Sequence, residues 1–339
     1  MHRRSSLKAI TAAATIAALT GFAVPSQAQV TDYILSTASV GGTYYPVGVA
    51  LATLSRVRLT PEHGFGLSAI SSAGSGENVR LLRQNEAQFA ILQGLFGYYA
   101  WTGTGPVEAD GPQSNLRSIA SLWGNVEHFV IDSRHVDTGT LSDFVALEGE
   151  RVGMGAQASG TLGSNITLLE GFGVDLENDF GMFYAGYGPT AEALQNRQIA
   201  GMSAPGGVPV GALSQLFASA GERVTFLDVT DEEMAVADAG RNLWTRFVIP
   251  AGSYPGVDRD VHTISQPNFL AVRDDVDEEH VYLFTKAIFE NLPFLQAIHP
   301  ATNEMSLESA LAGLPFPLHP GSLRYFEEAG LDIPDHLRP

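Results

Sequence analysis

Apolar and polar positions change rhythm repeatedly along this chain. Short runs rich in Tyr, Ile, Phe and Leu alternate with longer stretches whose apolar positions recur every three or four residues. The first rhythm fits strands and the second fits amphipathic helices. The pattern predicts a strand over 33–38, a helix over 45–57, a strand over 66–71, a helix over 77–85 and a strand over 88–93. Another strand is predicted over 128–132. Such alternation implies βαβ units on a parallel sheet.

A second unit starts near Leu141. There "LSDFVALEGERVGMG" reads as a short helix, a turn and a strand, and "ASGTLGSNITLLEGFGV" as a glycine turn feeding a helix. The segment "TAEALQNRQIAGMSA" gives a further helix and strand, and "VTFLDV" closes the unit. Pro250, Gly252 and Pro255 mark the exit, "QPNFLAVRDDV" reads as a strand returning to the first unit, and Glu278–Leu295 as a terminal helix. The expected fold is α/β, with two lobes that each open on a strand, a glycine turn and a helix. In open α/β sheets ligands sit at the carboxyl ends of the strands, so two facing lobes would share one cleft.

Composition narrows the setting. Arg3, Arg4 and Lys8 precede an apolar stretch over 9–24, and Ser26-Gln27-Ala28 follows with small residues two apart. These are the parts of a secretory signal peptide, with the mature chain expected from Gln29, outside the cytoplasm. Removing its three positive residues takes the net charge from −18 to −21 and leaves Lys286 as the one lysine. A surface this acidic argues against nucleic acid and anionic membranes as partners. It also opposes the approach of an anionic ligand, so a site for one must supply its own positive potential from backbone amides or arginine. No cysteine is present, which excludes disulfides and thiolate metal sites.

Five polar or glycine-rich rims fall at predicted strand ends. The first, "GGTYYP", places Gly42, Thr43 and Tyr44 at a helix start, where unpaired N–H groups attract anions. In the second, Ser75 and Glu77 suit a helix cap and its dipole, while Asn78 is free to turn an amide toward a ligand. Gln93 closes an apolar strand beside a glycine. Ser159, Gly160 and Thr161 form another helix start, and Gly206 and Gly207 lie in the fifth rim. The first rim has neither the spacing of a dinucleotide fingerprint nor the Lys-Ser/Thr of a phosphate loop.

Catalytic patterns are weak. Gly-x-Ser-x-Gly is missing, and the nine histidines lack metal-like spacing. His128 reads as a strand residue and His319 as part of a turn. No catalytic residue, cofactor or metal is expected.

The pieces "GGTYYPVG", "GSGENVRLL", "FAILQ", "TGTGP", "LEGERVGMG", "SGT", "IPAGSYPGVDRDV", "KAIFENL" and "LPFPLHPGSLRYFEE" run in order along the chain. In this combination the sequence resembles the TAXI-type solute-binding proteins of TRAP transporters. The resemblance implies a two-lobe periplasmic binding protein of type II topology, with lobe 1 formed by 29–138 and 250–339 and lobe 2 by 139–249. It places the crossover near 136–140 and the return near 250. It also implies a monomer that captures a small carboxylate, a glutamate-like amino acid or a C5 dicarboxylate, by lobe closure and delivers it to the TRAP membrane permease. Ligand contacts carry over to Gly42, Thr43, Tyr44, Ser75, Glu77, Asn78, Gln93 and Ser159 to Thr161, with Gly206 and Gly207 in the second lobe. An ammonium on the ligand would find Glu77; a dicarboxylate would leave Glu77 turned away. The other readings are a binding protein for an ABC transporter or sensor, a secreted hydrolase and a surface adhesin.

Overall fold

A computed structural model describes residues 30–339; the expected signal peptide and the start at Gln29 lie outside them. The described chain runs through β1 (Thr31–Ser36), β2 (Phe65–Ile70), β3 (Phe89–Gln93), β4 (Leu116–Val126), β5 (Phe129–Asp132) and β6 (Arg151–Gly153). It continues through β7 (Gly181–Met182), β8 (Gly201–Ser203), β9 (Val224–Phe226), β10 (Thr245–Ile249) and β11 (Val261–Arg273). Two sheets result. In the first, β2, β1 and β3 are parallel, and antiparallel β11 follows beside β3, itself flanked by β4 and β10. In the second the order is β7-β6-β8-β5-β9, with β5 antiparallel to both neighbours. This is the expected α/β binding-protein architecture, and the order β2-β1-β3-β11-β4 is its type II topology.

Two strands link the sheets. β4 lies in the first and β5 in the second, with only Glu127 and His128 between them. β11 pairs through 261–265 with β10 and through 268–272 with β3. The chain therefore changes sheet at 127–128 and changes back between β9 and β10, within 227–244, rather than near 136–140 and 250, while the start of β11 packs Val261 and Ile264 into the cores beside the second sheet. Pro267 marks a register shift against β4, where a residue without an N–H costs least.

Each sheet has its own core. Phe65, Phe89 and Phe284 pack edge-on or tilted with ring centroids 5.3–6.0 Å apart under the first sheet. β5 alternates in the second: Val130 enters one apolar cluster while Phe129 and Ile131 enter the other. The terminal helix runs Glu278–Glu290, capped by Asp277, and stops short of the expected Leu295. Asn291 leaves helical geometry there, and Pro293 opens the next helix, Leu292–Ile298.

Candidate functional site

Strand ends from both sheets feed helices whose first residues meet at one place. The helices are Tyr44–Arg58, Ser75–Arg83, Gly94–Thr102, Gly160–Glu170 and Tyr187–Gln195, and their N-cap residues are Thr43, Gly74, Gln93, Ser159 and Gly186. All five caps line a single cavity of about 210 Å3 between the lobes. That is less than the ~300–1,000 Å3 of sites for drug-sized ligands, so the space suits a small molecule.

The sequence expectations divide cleanly. Gly42, Thr43, Tyr44, Ser75, Gln93, Ser159, Gly160, Thr161 and Gly206 line the cavity. Asn78 does not. Its Nδ2 donates to the carbonyls of Thr37 (2.7 Å) and Ile91 (2.9 Å), and its Oδ1 accepts from Ser72 Oγ (2.7 Å). It is a bolt joining the helix to the ends of two strands. Glu77 is also turned away, with one oxygen accepting from the Ala73 amide (2.7 Å) and the other paired to Arg80 (3.2 Å). Gly207 packs against Trp123 and Ala301 of the first lobe, with no room for a Cβ, and its carbonyl accepts from Thr43 Oγ1 at 2.9 Å.

Several lining residues escaped the sequence reading. Asn125 comes from the end of β4, and Ala185, Gly186 and Tyr187 form a complete extra rim. Tyr187 hydroxyl donates to the Pro205 carbonyl (2.7 Å) and meets Thr161 Oγ1 at 2.7 Å. On the other wall Tyr44 hydroxyl donates to Asn268 Oδ1. Burial pushes both phenols upward, so they remain protonated donors.

The two lobes touch across the cavity rim. Glu77 N donates to Ala158 O (2.8 Å), Ala212 N to Gly41 O (3.0 Å), and Tyr99 hydroxyl lies 3.0 Å from Thr167 Oγ1. Glycines make this approach possible: a Cβ on Gly160 would stand 2.6 Å from Gln93 Nε2 and 2.9 Å from Ser75 Cβ.

Among the described residues, no lysine, arginine, histidine or carboxylate lines the cavity. Its potential therefore comes from helix ends, each carrying about +0.5 charge at its N-terminus. The amides of Tyr44, Ser75, Gly160 and Thr161 have no acceptor among the described residues. Behind the cavity, His128 Nε2 accepts from Tyr254 hydroxyl (2.8 Å), whose oxygen accepts from the Val210 amide (2.8 Å). Burial pushes His128 down to about 4, keeping it neutral as an acceptor. Beside it, burial pushes the Glu127 carboxyl up to about 8. Trp244 and Gln266 offset this by favouring the charged form, but neither oxygen of Glu127 is in hydrogen-bond geometry with a partner. His319 caps a helix by accepting from the Gly321 amide, the turn role expected of it. Among the described residues no cluster of three His, Asp or Glu is placed to hold a metal ion.

This architecture is shared with known proteins. A protein from Bordetella bronchiseptica RB50 has 14% identity over 90% of both chains and a TM-score of 0.52. The binding protein component of an ABC phosphonate transporter from Pseudomonas aeruginosa has 9% identity over 80% of this chain and 78% of its own, with a TM-score of 0.50. The periplasmic aliphatic sulphonate binding protein of Escherichia coli has 10% identity over 87% of this chain and 82% of its own, with a TM-score of 0.44. The sequence profile of the NMT1-like family matches residues 35–330, from β1 to just beyond the helix Pro320–Glu328. On that match the chain belongs to the NMT1-like family.

Proposed function

We propose that this protein is a periplasmic solute-binding protein that encloses a small carboxylate between its lobes and releases it unchanged to a membrane permease. The observation that carries the reading is the convergence of five helix N-termini on one uncharged cavity. Such a cavity attracts an anion through fixed amides despite the acidic surface around it. Lobe closure follows from the same geometry, because a ligand touching both rims stabilises the state in which they meet. We place the hinge at Val126–His128 and Thr263–Gln266, where the two linking strands cross. There Glu127 N donates to Ile264 O (2.9 Å) and Thr263 Oγ1 to Glu127 O (2.8 Å).

The permease is assigned to the TRAP class, and the protein to its TAXI type, on the motifs quoted from the sequence. Service to an ABC importer is the second reading, favoured by the Pseudomonas aeruginosa binding protein with the same fold.

A thermal-shift panel of dicarboxylates, keto acids, amino acids, phosphonates and sulphonates tests the binding function. A ligand at about 100 times its Kd adds roughly 2.7 kcal/mol, expected as a rise of several degrees in Tm. Flat melting temperatures across every acid would contradict the reading.

A further inference from the structure

We infer that the solute enters the cavity together with a proton, which Glu127 takes up beneath the cavity floor as a positioning group. The inference rests on the anion-binding reading above and adds a dependence on pH to the same site. Its basis is where the chain turns each side chain as it passes from β4 to β5. Val126 packs in a core cluster of the second lobe, and His128 bonds Tyr254 of that same cluster. Asn125 points the other way and lines the cavity. Side chains alternate along an extended chain, so Glu127 lies on the face of Asn125, one step behind the cavity. Tyr187 marks the same proximity. It lines the cavity, burial raises its phenol, and the nearby charge of Glu127 raises it further.

The carboxyl sits in an unfinished polar cluster. Glu127 is 1% exposed, and neither of its oxygens has a hydrogen-bond partner. Beside it stand two buried donors that are also unpartnered, Nε1 of Trp244 and Nε2 of Gln266. Trp244 belongs to a core of the second lobe. Gln266 pairs in register with Asn125 on the first sheet, and its Oε1 accepts from the Leu95 amide (3.0 Å). One donor therefore comes from each lobe, and closure sets both against the carboxyl. The other groups packed here carry no counter-charge. β11 contributes Thr263 and Ile264, neither of which titrates. The titratable neighbours are Tyr187, which stays protonated, and His128, which is neutral and bonded to Tyr254. With no cationic side chain among the described residues that line the cavity, an anionic solute and an ionised Glu127 would face each other uncompensated. Like charges so placed disfavour ionisation, and burying both unpaired is costly. The uncharged carboxyl removes the repulsion, so the acid binds once the carboxylate has accepted a proton from solvent.

Calorimetric titration with 2-oxoglutarate, glutarate and glutamate from pH 6 to 9 tests this, because their carboxylates stay ionised throughout. Burial pushes the Glu127 carboxyl up to about 8, so Kd should be level below pH 7 and rise about tenfold by pH 9. Heats measured at pH 9 in two buffers of different ionisation enthalpy should report uptake of close to one proton per acid bound. In Glu127→Gln the ratio of Kd at pH 9 to that at pH 6 should fall below about twofold, without proton uptake. A level Kd with no proton uptake in the wild-type protein would overturn the inference while leaving the anion-binding reading intact. So would an unchanged pH profile in a folded Glu127→Gln protein. Failure of all three acids to bind at any pH would overturn both.

Discussion

Gly76→Val is expected to abolish high-affinity solute binding without touching a cavity residue. Gly76 sits in the first turn of the helix Ser75–Arg83, outside the cavity lining. A Cβ there would stand 2.5 Å from Ala158 O, 3.1 Å from Ala158 C and 3.2 Å from the Phe96 ring. Ala158 belongs to the opposite lobe and is held in left-handed geometry at φ 57°, so its carbonyl has little freedom to withdraw. The neighbouring bond from Glu77 N to Ala158 O would break with the same displacement. Each lobe keeps its own core and the shortest of these contacts reaches the opposite lobe, so most of the cost falls on the closed state. Closure carries the second half of the ligand's contacts, and its loss should weaken binding by about 100-fold or more. Small-angle scattering should show the wild-type chain contracting with ligand and the variant staying extended. Wild-type affinity in Gly76→Val would contradict closure as the basis of capture.

Glu127→Gln should stabilise the protein at alkaline pH and leave it nearly unchanged at pH 5. The carboxyl is buried at the crossover between sheets, with a folded value of about 8 against 4.5 when free. A raised folded value means that the stabilising protonated state is complete below about 4.5. It is then lost progressively as pH rises to about 8, at roughly 1.4 kcal/mol per unit. Glutamine keeps the shape and does not titrate. At pH 8.5 the variant should therefore melt several degrees above wild type, a difference of about 3–5 kcal/mol. His128 and His319, both pushed down to about 4 by burial, destabilise both proteins equally as pH falls below about 6.5. They cancel in the comparison. Parallel melting curves from pH 5 to 8.5 would show that Glu127 pays no desolvation cost.

The rims were legible because a helix start has a local signature. Gly42-Thr43, Ser75, Gln93 and Ser159-Gly160-Thr161 announce a strand end and a cap within a few residues, and the structure brings these to the cavity. Asn78 was misplaced because its partners, Thr37 and Ile91, lie far away in sequence. Glu77 faces away, the arrangement expected if the ligand is a dicarboxylate. The Ala185–Tyr187 rim was missed because its strand, β7, has only two residues and Tyr187 is fixed by Thr161 and Pro205 from other loops. β4 left no signal for a related reason. It is buried along nearly all its length, so no polar alternation marks it. The crossing itself is invisible to periodicity, since two residues separate β4 from β5 and neither breaks the extended pattern.

A crystal structure of the protein with the tightest-binding acid tests the central claim most directly. The account predicts the acid enclosed between the lobes. Its carboxylate oxygens should lie about 2.7–3.2 Å from the amides of Tyr44, Gly160 or Thr161, with Gln93 Nε2 donating to the same molecule. Density for the acid at surface arginines, or in the cavity with its carboxylates turned away from the helix starts, would contradict it.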